Sequence, residues 1–104
     1  MGDWKQVATL DDFKKDDRLF AEVADQEIAI FKGHDGNLYA VSPWCTHQRV
    51  SMMNGWIEGC ELTCPLHGAR FDLKTGKHLC APAPRGLQSY PLKVENGNVF
   101  VQVE

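Results

Sequence analysis

The sequence lacks any run of about 18 apolar residues, which is the length that a membrane-spanning helix needs. It also lacks a basic N-terminal segment followed by an apolar run, so we expect no secretory signal and a cytoplasmic protein. Positive charge is not in excess, because 11 basic and 14 acidic residues give a formal net charge of −3. These absences argue against a membrane or a nucleic acid as a partner.

Fingerprints of catalysis are missing as well. The sequence has no P-loop, no dinucleotide-binding fingerprint and no Ser/His/Asp arrangement, which predicts a protein that is not an enzyme by itself. No repeat, low-complexity tract or linker divides the 104 residues, so we expect a single domain over 1–104. A domain of this size often needs a metal or a disulfide, and in the cytosol the four cysteines favour metal binding or free thiols.

Short runs of β-branched and aromatic residues dominate both ends of the chain and predict an all-β fold. Thr9 and Asp12 form a capping-box pattern, which predicts one helical turn over Asp11–Lys15. Asn96-Gly97 is the favoured two-residue hairpin turn. The predicted terminal strands are Trp4–Val7, Arg18–Val23, Gln26–Phe31, Leu38–Val41, Leu92–Glu95 and Asn98–Val103.

The middle of the chain, residues 42–84, has a different composition. It holds all four cysteines and four of the five prolines, with short strands predicted only at Trp56–Glu58 and Glu61–Thr63. A long irregular segment inside a small domain is usually functional. We therefore expect an antiparallel β base, formed by residues 1–41 and 85–104, that carries a loop-rich inserted subdomain over residues 42–84.

Two short motifs in this insert combine cysteine with histidine: Cys45-Thr46-His47 and Cys64-Pro65-Leu66-His67-Gly68. Each gives one sulfur and one nitrogen from a single loop. Two thiolates and two imidazoles can bind a tetrahedral zinc ion, or a [2Fe–2S] cluster with cysteines on one iron and histidines on the other. An all-cysteine cluster of Cys45, Cys60, Cys64 and Cys80 is a third arrangement, but its spacing is unlike the plant type.

The paired motif, at this separation, resembles the Rieske signature, and the resemblance continues into Phe71-Asp72, Thr75-Gly76 and Ala81-Pro82. The sequence is most similar to the small Rieske ferredoxins of bacterial aromatic-ring-hydroxylating dioxygenase systems. This resemblance implies a Rieske-type fold and one [2Fe–2S] cluster. It also implies that Cys45 and Cys64 bind the inner iron, whereas His47 and His67 bind the outer iron near the tip.

Two departures from related sequences bear on the redox properties. High-potential Rieske proteins carry an extra cysteine in each ligand loop, and the two form a disulfide; here Val50 and Leu66 occupy the corresponding places. The resemblance therefore implies the low-potential branch. Gln48-Arg49 replaces the glycine of many relatives, and we expect Arg49 to help docking or to tune the potential.

The function that the resemblance implies is one-electron transfer from an NAD(P)H-dependent flavin reductase to a terminal oxygenase of aromatic hydrocarbon catabolism, by a monomeric carrier. Alternatives are a zinc-binding module and a subunit or fragment of an enzyme. An oxygenase large subunit needs a downstream non-haem iron site, for which a chain ending at Glu104 is expected to have no room. The small nitrite-reductase subunit often lacks the ligands that this sequence keeps.

The remaining conspicuous residues have structural interpretations. Cys60 and Cys80 are expected to be partly buried free thiols, and His34 and His78 to be solvated.

Trp44 and Trp56 are expected to pack in the core rather than to shield the cluster. Pro82 and Pro84 either cover the cluster, as a proline-containing segment does in the family, or form an ordinary connection.

Overall fold

The computed structural model describes residues 3–44, 51–65, 68–77, 79 and 87–103. These residues form an all-β fold, as predicted, with no α-helix among them. No helix in the described ranges is long and apolar enough to cross a membrane. The strands are β1 (Asp3–Thr9), β2 (Arg18–Val23), β3 (Gln26–Lys32), β4 (Leu38–Val41), β5 (Trp56–Glu58), β6 (Glu61–Thr63), β7 (Arg70–Asp72), β8 (Ser89–Tyr90), β9 (Leu92–Glu95) and β10 (Asn98–Val103).

The described strands form three antiparallel sheets. The terminal sheet has the order β1-β10-β9 and joins the two ends of the chain. The central sheet has the order β2-β3-β4-β8. The small sheet, β5-β6-β7, consists of strands that lie within residues 42–84.

Strand β3 is buried on both of its faces, because side chains of a strand alternate between the two sides of a sheet. Ile28 and Ile30 pack with the terminal sheet, whereas Ala29 and Phe31 pack with the small sheet, and all four are fully buried. The central sheet therefore lies between two cores. The β10 core contains Ala8, Phe13, Ile28, Ile30, Ala40, Val99, Val101 and Val103; the β6 core contains Ala29, Phe31, Val41, Met52, Ile57, Leu62, Cys64, Ala69, Phe71, Leu73 and Leu87.

Most of the predicted strands and hairpins are confirmed. Strands β2, β4, β5, β6, β9 and β10 have the predicted bounds, and β3 pairs with β4. The β9–β10 turn has positive φ at Asn96 (53°) and Gly97 (80°), as the Asn-Gly pattern predicts. The predicted helical turn is a 3₁₀ turn over Leu10–Phe13, so it begins one residue earlier than expected. The Thr9 N–H donates a 2.9 Å hydrogen bond to the Asp12 carboxylate there.

Candidate metal centre

Cys64 is the one predicted ligand that lies within the described residues. It directly follows β6, and it is 1% exposed in the β6 core. Its side chain is packed among apolar residues that include Met52, Leu62 and Phe71. The other three predicted ligands, Cys45, His47 and His67, lie outside the described residues.

The first ligand motif lies in the segment 45–50, and the structure describes both ends of that segment. Trp44 and Ser51 form an antiparallel bridge across it. The Met52 N–H donates a 2.6 Å hydrogen bond to the carbonyl oxygen of Pro43. The two described ends of this segment therefore lie next to each other, and the segment between them is called the first loop.

The second ligand motif begins at Cys64, and its two ends also lie next to each other. The Cys64 N–H donates a 2.7 Å hydrogen bond to the carbonyl oxygen of Ala69. Strands β6 and β7 pair on either side, with Thr63 opposite Arg70. The pairing of β6 with β7 therefore extends to Cys64 and Ala69, which flank the rest of the second motif.

The bases of the two loops touch each other. After the first loop the chain forms a 3₁₀ turn, Met52–Asn54. The N–H of Met53 in this turn donates a hydrogen bond to the hydroxyl of Ser51. At Gly55 this turn comes so close to the carbonyl oxygen of Thr63 that a Cβ atom would overlap it. Because Thr63 precedes Cys64, the return of the first loop packs directly against the start of the second.

The surroundings of Cys64 fit a ligand of a buried iron. A thiolate among apolar side chains is unfavourable unless a metal ion or another positive charge offsets it. The described bases of the two ligand loops lie side by side, and two sulfur with two nitrogen donors is the ligand set of a Rieske-type cluster. The donor set of the sequence and the described part of the site therefore suit a [2Fe–2S] cluster with mixed ligands.

A third segment, residues 80–86, is also fixed at both ends. The Leu79 N–H donates a 2.8 Å hydrogen bond to the carbonyl of Arg70, and the Leu87 N–H donates a 2.6 Å bond to the carbonyl of Gly76. Pro82 and Pro84 lie outside the described residues, so their predicted alternatives stay predictions.

The tryptophan prediction is wrong for one of the two residues. Trp56 is 46% exposed, and its indole N–H donates to Glu58, because the alternation along β5 directs Ile57 to the core instead. Trp44 is half-buried, and its indole N–H donates to the Glu27 carboxylate at 3.3 Å.

The structure tests the predictions for two of the four remaining cysteines and histidines. Cys60 is a partly buried thiol outside any disulfide, and His34 is exposed, both as predicted. Nδ1 of His34 accepts a 2.9 Å hydrogen bond from the N–H of Gly59, a contact between distant residues that no sequence pattern indicates. Cys80 and His78 lie outside the described residues.

A short hydrogen bond lies near the contact between His34 and Gly59. It joins Asp35, in the turn before β4, to Tyr39 in β4. The Tyr39 hydroxyl donates to the Asp35 carboxylate at 2.5 Å. This bond lowers the pKa of Asp35 to about 2, helped by the N–H of Asn37, and it raises the pKa of Tyr39 to about 12. Over a wide pH range, therefore, the Tyr39 hydroxyl stays neutral and donates, and the Asp35 carboxylate stays ionised and accepts.

Comparisons with known proteins agree with the resemblance found in the sequence. Residues 3–91 match the family described as Rieske [2Fe-2S] domain. The chain is 41% identical to the ferredoxin component of the naphthalene 1,2-dioxygenase/salicylate 5-hydroxylase systems of Ralstonia sp., over 97% of this chain and 96% of that protein.

Solved structures give the same fold. The ferredoxin of carbazole 1,9a-dioxygenase from Nocardioides aromaticivorans IC177 has a TM-score of 0.88 and 28% identity, covering 97% of this chain and 98% of that one. A ferredoxin in a complex of reduced oxygenase and oxidized ferredoxin in carbazole 1,9a-dioxygenase has a TM-score of 0.84 and 27% identity, covering 95% and 92%. The predicted Rieske-type fold is thereby confirmed.

Proposed function

This chain belongs to the Rieske [2Fe–2S] domain family, and we propose that Cys45, His47, Cys64 and His67 hold its cluster. The protein carries a Rieske-type [2Fe–2S] cluster and serves in electron transfer rather than as a catalytic oxygenase subunit. When bound, the cluster supplies reversible uptake and release of one electron.

The observation that carries the ligand assignment is the contact between the two loop bases. Gly55 of the first loop's return lies against Thr63, and Cys64 follows at once in the β6 core. A buried thiol at this point suits the inner iron, with Cys45 as its second sulfur ligand. His47 and His67 are then the ligands of the outer iron, and as neutral donors they raise the reduction potential above that of all-cysteine clusters.

We extend the proposal to the organisation of the chain. Residues 42–84 form the cluster-binding subdomain, and residues 1–41 with 85–104 form the base that carries it. The small sheet and most of the β6 core come from residues 42–84, which supports this division. The central sheet contributes Phe31 and Val41 to the same core, so the base supports the subdomain from below.

The proposed partners are an NAD(P)H-dependent flavin reductase and a terminal ring-hydroxylating oxygenase of aromatic hydrocarbon catabolism. A similar ferredoxin has been solved in a complex with its oxygenase, which supports the second partner. We propose that the protein acts as a monomer in the cytoplasm, because a carrier that visits two partners in turn needs small, transient contacts.

Docking is proposed to use the tip formed by residues 45–49 and 64–69, because the histidine ligands belong to these loops. Electron exchange requires the histidine end of the cluster to come near the partner's cofactor. Arg49 is the charged residue that we place at the rim of this tip. A rim charge affects the rate of association more than the strength of the final contact.

The ligand assignment is tested by single substitutions. Each of Cys45, His47, Cys64 and His67 changed to Ala is expected to lose iron, because no neighbour replaces the missing bond. Cys60→Ala is the matched control, since Cys60 is a partly buried thiol outside the motif, and it should retain full iron content. An iron-free Cys60→Ala protein, or an iron-loaded Cys64→Ala protein, would overturn the assignment.

The carrier role is tested by reconstitution with a reductase and an oxygenase from the same source. Hydroxylated product should form only when all three proteins are present. Arg49→Glu should slow electron delivery and leave the visible spectrum unchanged. Lys14→Glu makes the same charge reversal at an exposed residue of the base and should have no effect. Full turnover of the oxygenase without this protein would refute the carrier role. An unchanged rate of electron transfer by Arg49→Glu would refute only the proposed role of Arg49 in docking.

A further inference from the structure

We propose that Arg18 is a positioning residue for the cluster: from strand β2 it fixes the turn through which the first ligand loop returns. The inference rests on the proposed ligand set, because it concerns the loop that contains Cys45 and His47. Arg18 does not belong to the ligand motifs, and its effect is expected to pass through residues 51–55.

The guanidinium of Arg18 connects the base to this turn by direct hydrogen bonds. Nη1 donates to the carbonyl oxygen of Met53 at 2.9 Å and to that of Gly55 at 2.5 Å. On its other side, Nε and Nη2 donate to the two oxygens of Asp17, at 2.7 and 3.3 Å. The side chain of Arg18 is only 19% exposed, and its guanidinium lies 5.4 Å from the centre of the Phe31 ring.

Contacts with the turn, with Asp17 and with the Phe31 ring together restrict the orientation of the guanidinium. Phe31 is fully buried in the β6 core, so the ring under the guanidinium has a fixed position. Hydrogen bonding to Arg18 lowers the pKa of Asp17, so the carboxylate stays charged and continues to orient the fork. Lysine could not make the same set of contacts, because its single ammonium lacks the planar fork.

The turn that Arg18 contacts is the common base of both ligand loops. The carbonyl groups at the end of a short helical turn lack partners within the turn, and Arg18 supplies a charged donor for two of them. The same turn closes the first loop through Met52 and Pro43, and it meets Thr63 at Gly55. Groups that orient a ligand from behind control how firmly a metal is bound.

A purely structural role of Arg18 makes a different prediction. If Arg18 only added to the stability of the whole domain, its loss would increase amide exchange everywhere by one common factor. A positioning role instead predicts faster exchange that is confined to residues 51–56 and is accompanied by faster release of iron. The hairpin β9–β10 packs in the other core and serves as the internal reference.

The experiment compares the iron-loaded proteins by hydrogen-exchange mass spectrometry and by the rate of iron transfer to a chelator. Arg18→Met keeps the aliphatic stem and removes the donors; Arg18→Lys keeps the charge. Lys14→Met is the control, because it removes a cation whose ion pair with Asp11 is exposed. We expect Arg18→Met to release iron about tenfold faster and to exchange faster at residues 51–56 but not in β9–β10, with Arg18→Lys between it and wild type.

Several outcomes would overturn the inference. One is that Arg18→Met and Lys14→Met show the same rate of iron release and the same amide exchange. Another is that Arg18→Met increases amide exchange in β9–β10 as much as at residues 51–56. If Arg18→Met does not fold, Arg18→Lys decides by the same two criteria. An iron-loaded Cys45→Ala protein would instead refute the proposed ligand set itself, which separates that failure from one of Arg18 alone.

Discussion

Gly55 lies against the carbonyl oxygen of Thr63 without room for a side chain between them. Its φ of −77° is open to any residue, so the glycine is required by space and not by backbone conformation. The contact brings the turn after the first ligand loop next to the residue that precedes Cys64. A Cβ atom at position 55 would therefore force the turn after the first loop and the end of β6 apart.

Gly55→Ala should damage the cluster site. The added methyl group must push the turn away from β6, and overpacking of this kind typically costs about 1–3 kcal/mol. We expect a lower melting temperature and incomplete iron content after purification. Asn54→Ala changes an exposed residue of the same turn and should resemble wild type in both measurements. Full iron content in Gly55→Ala would show that the loop spacing tolerates this shift.

Gly76 offers a second test, because it contacts Leu87, the residue that follows the segment with Pro82 and Pro84. Its φ is +79°, and a Cβ atom there would overlap the carbonyl oxygen of Leu87. Gly97 has a φ of +80° but nothing within 4 Å of its Cβ position, so Gly97→Ala costs backbone strain alone.

Gly76→Ala should therefore lower the free energy of unfolding more than Gly97→Ala does. If the proline segment covers the cluster, Gly76→Ala should also accelerate bleaching of the visible bands by a chelator. Equal bleaching rates in the two variants would favour an ordinary connection over a cover.

The Asp35–Tyr39 hydrogen bond predicts an unusual alkaline titration. The pKa of Tyr39 is raised from 10.0 to about 12, so the stability from this bond is fully present below pH 10 and is lost as the pH rises towards 12. The pKa of Asp35 is lowered from 3.8 to about 2, so at the acid end the contribution is present above pH 3.8 and is lost as the pH falls towards 2.

The measurement is the ultraviolet absorbance of tyrosinate in a Tyr90→Phe background, where Tyr39 is the remaining tyrosine. The midpoint should lie at about 12, and Asp35→Asn should move it down towards 10.0. An ordinary midpoint in the Tyr90→Phe protein would show that the hydrogen bond does not persist in solution.

The reduction potential should lie near the lower end of the Rieske range, at about −150 mV. The reason is the pair Val50 and Leu66, which occupies the places of the disulfide cysteines in high-potential members. Protein-film voltammetry at neutral pH measures the potential directly. A clearly positive value would place the protein outside the low-potential branch.

The parts of the fold that sequence predicts well are those with local signals. The β9–β10 hairpin follows from strand alternation and Asn96-Gly97, and the predicted bounds of β5 and β6 are those of the structure. The sequence does not predict β7 and β8, which are defined by their pairing with β6 and β4 and lie next to turns or irregular segments.

The site divides in the same way. The ligand motifs are visible because each pair of donors is close in sequence. The supporting residues are not: Arg18 contacts carbonyl groups 35 and 37 positions away, and the importance of Gly55 comes from a neighbour in another strand. The sequence prediction that Trp56 packs in the core is wrong for a related reason, since composition does not reveal which face of a short strand is covered.

Pulsed EPR of the reduced, iron-loaded wild-type protein with ¹⁵N-labelled histidine shows whether two histidines bind the cluster. We expect one unpaired electron per chain and hyperfine coupling to two histidine nitrogens, because His47 and His67 are proposed to bind the iron that accepts the electron. A cluster signal without nitrogen coupling, or a protein that contains zinc and gives no signal, would contradict this assignment.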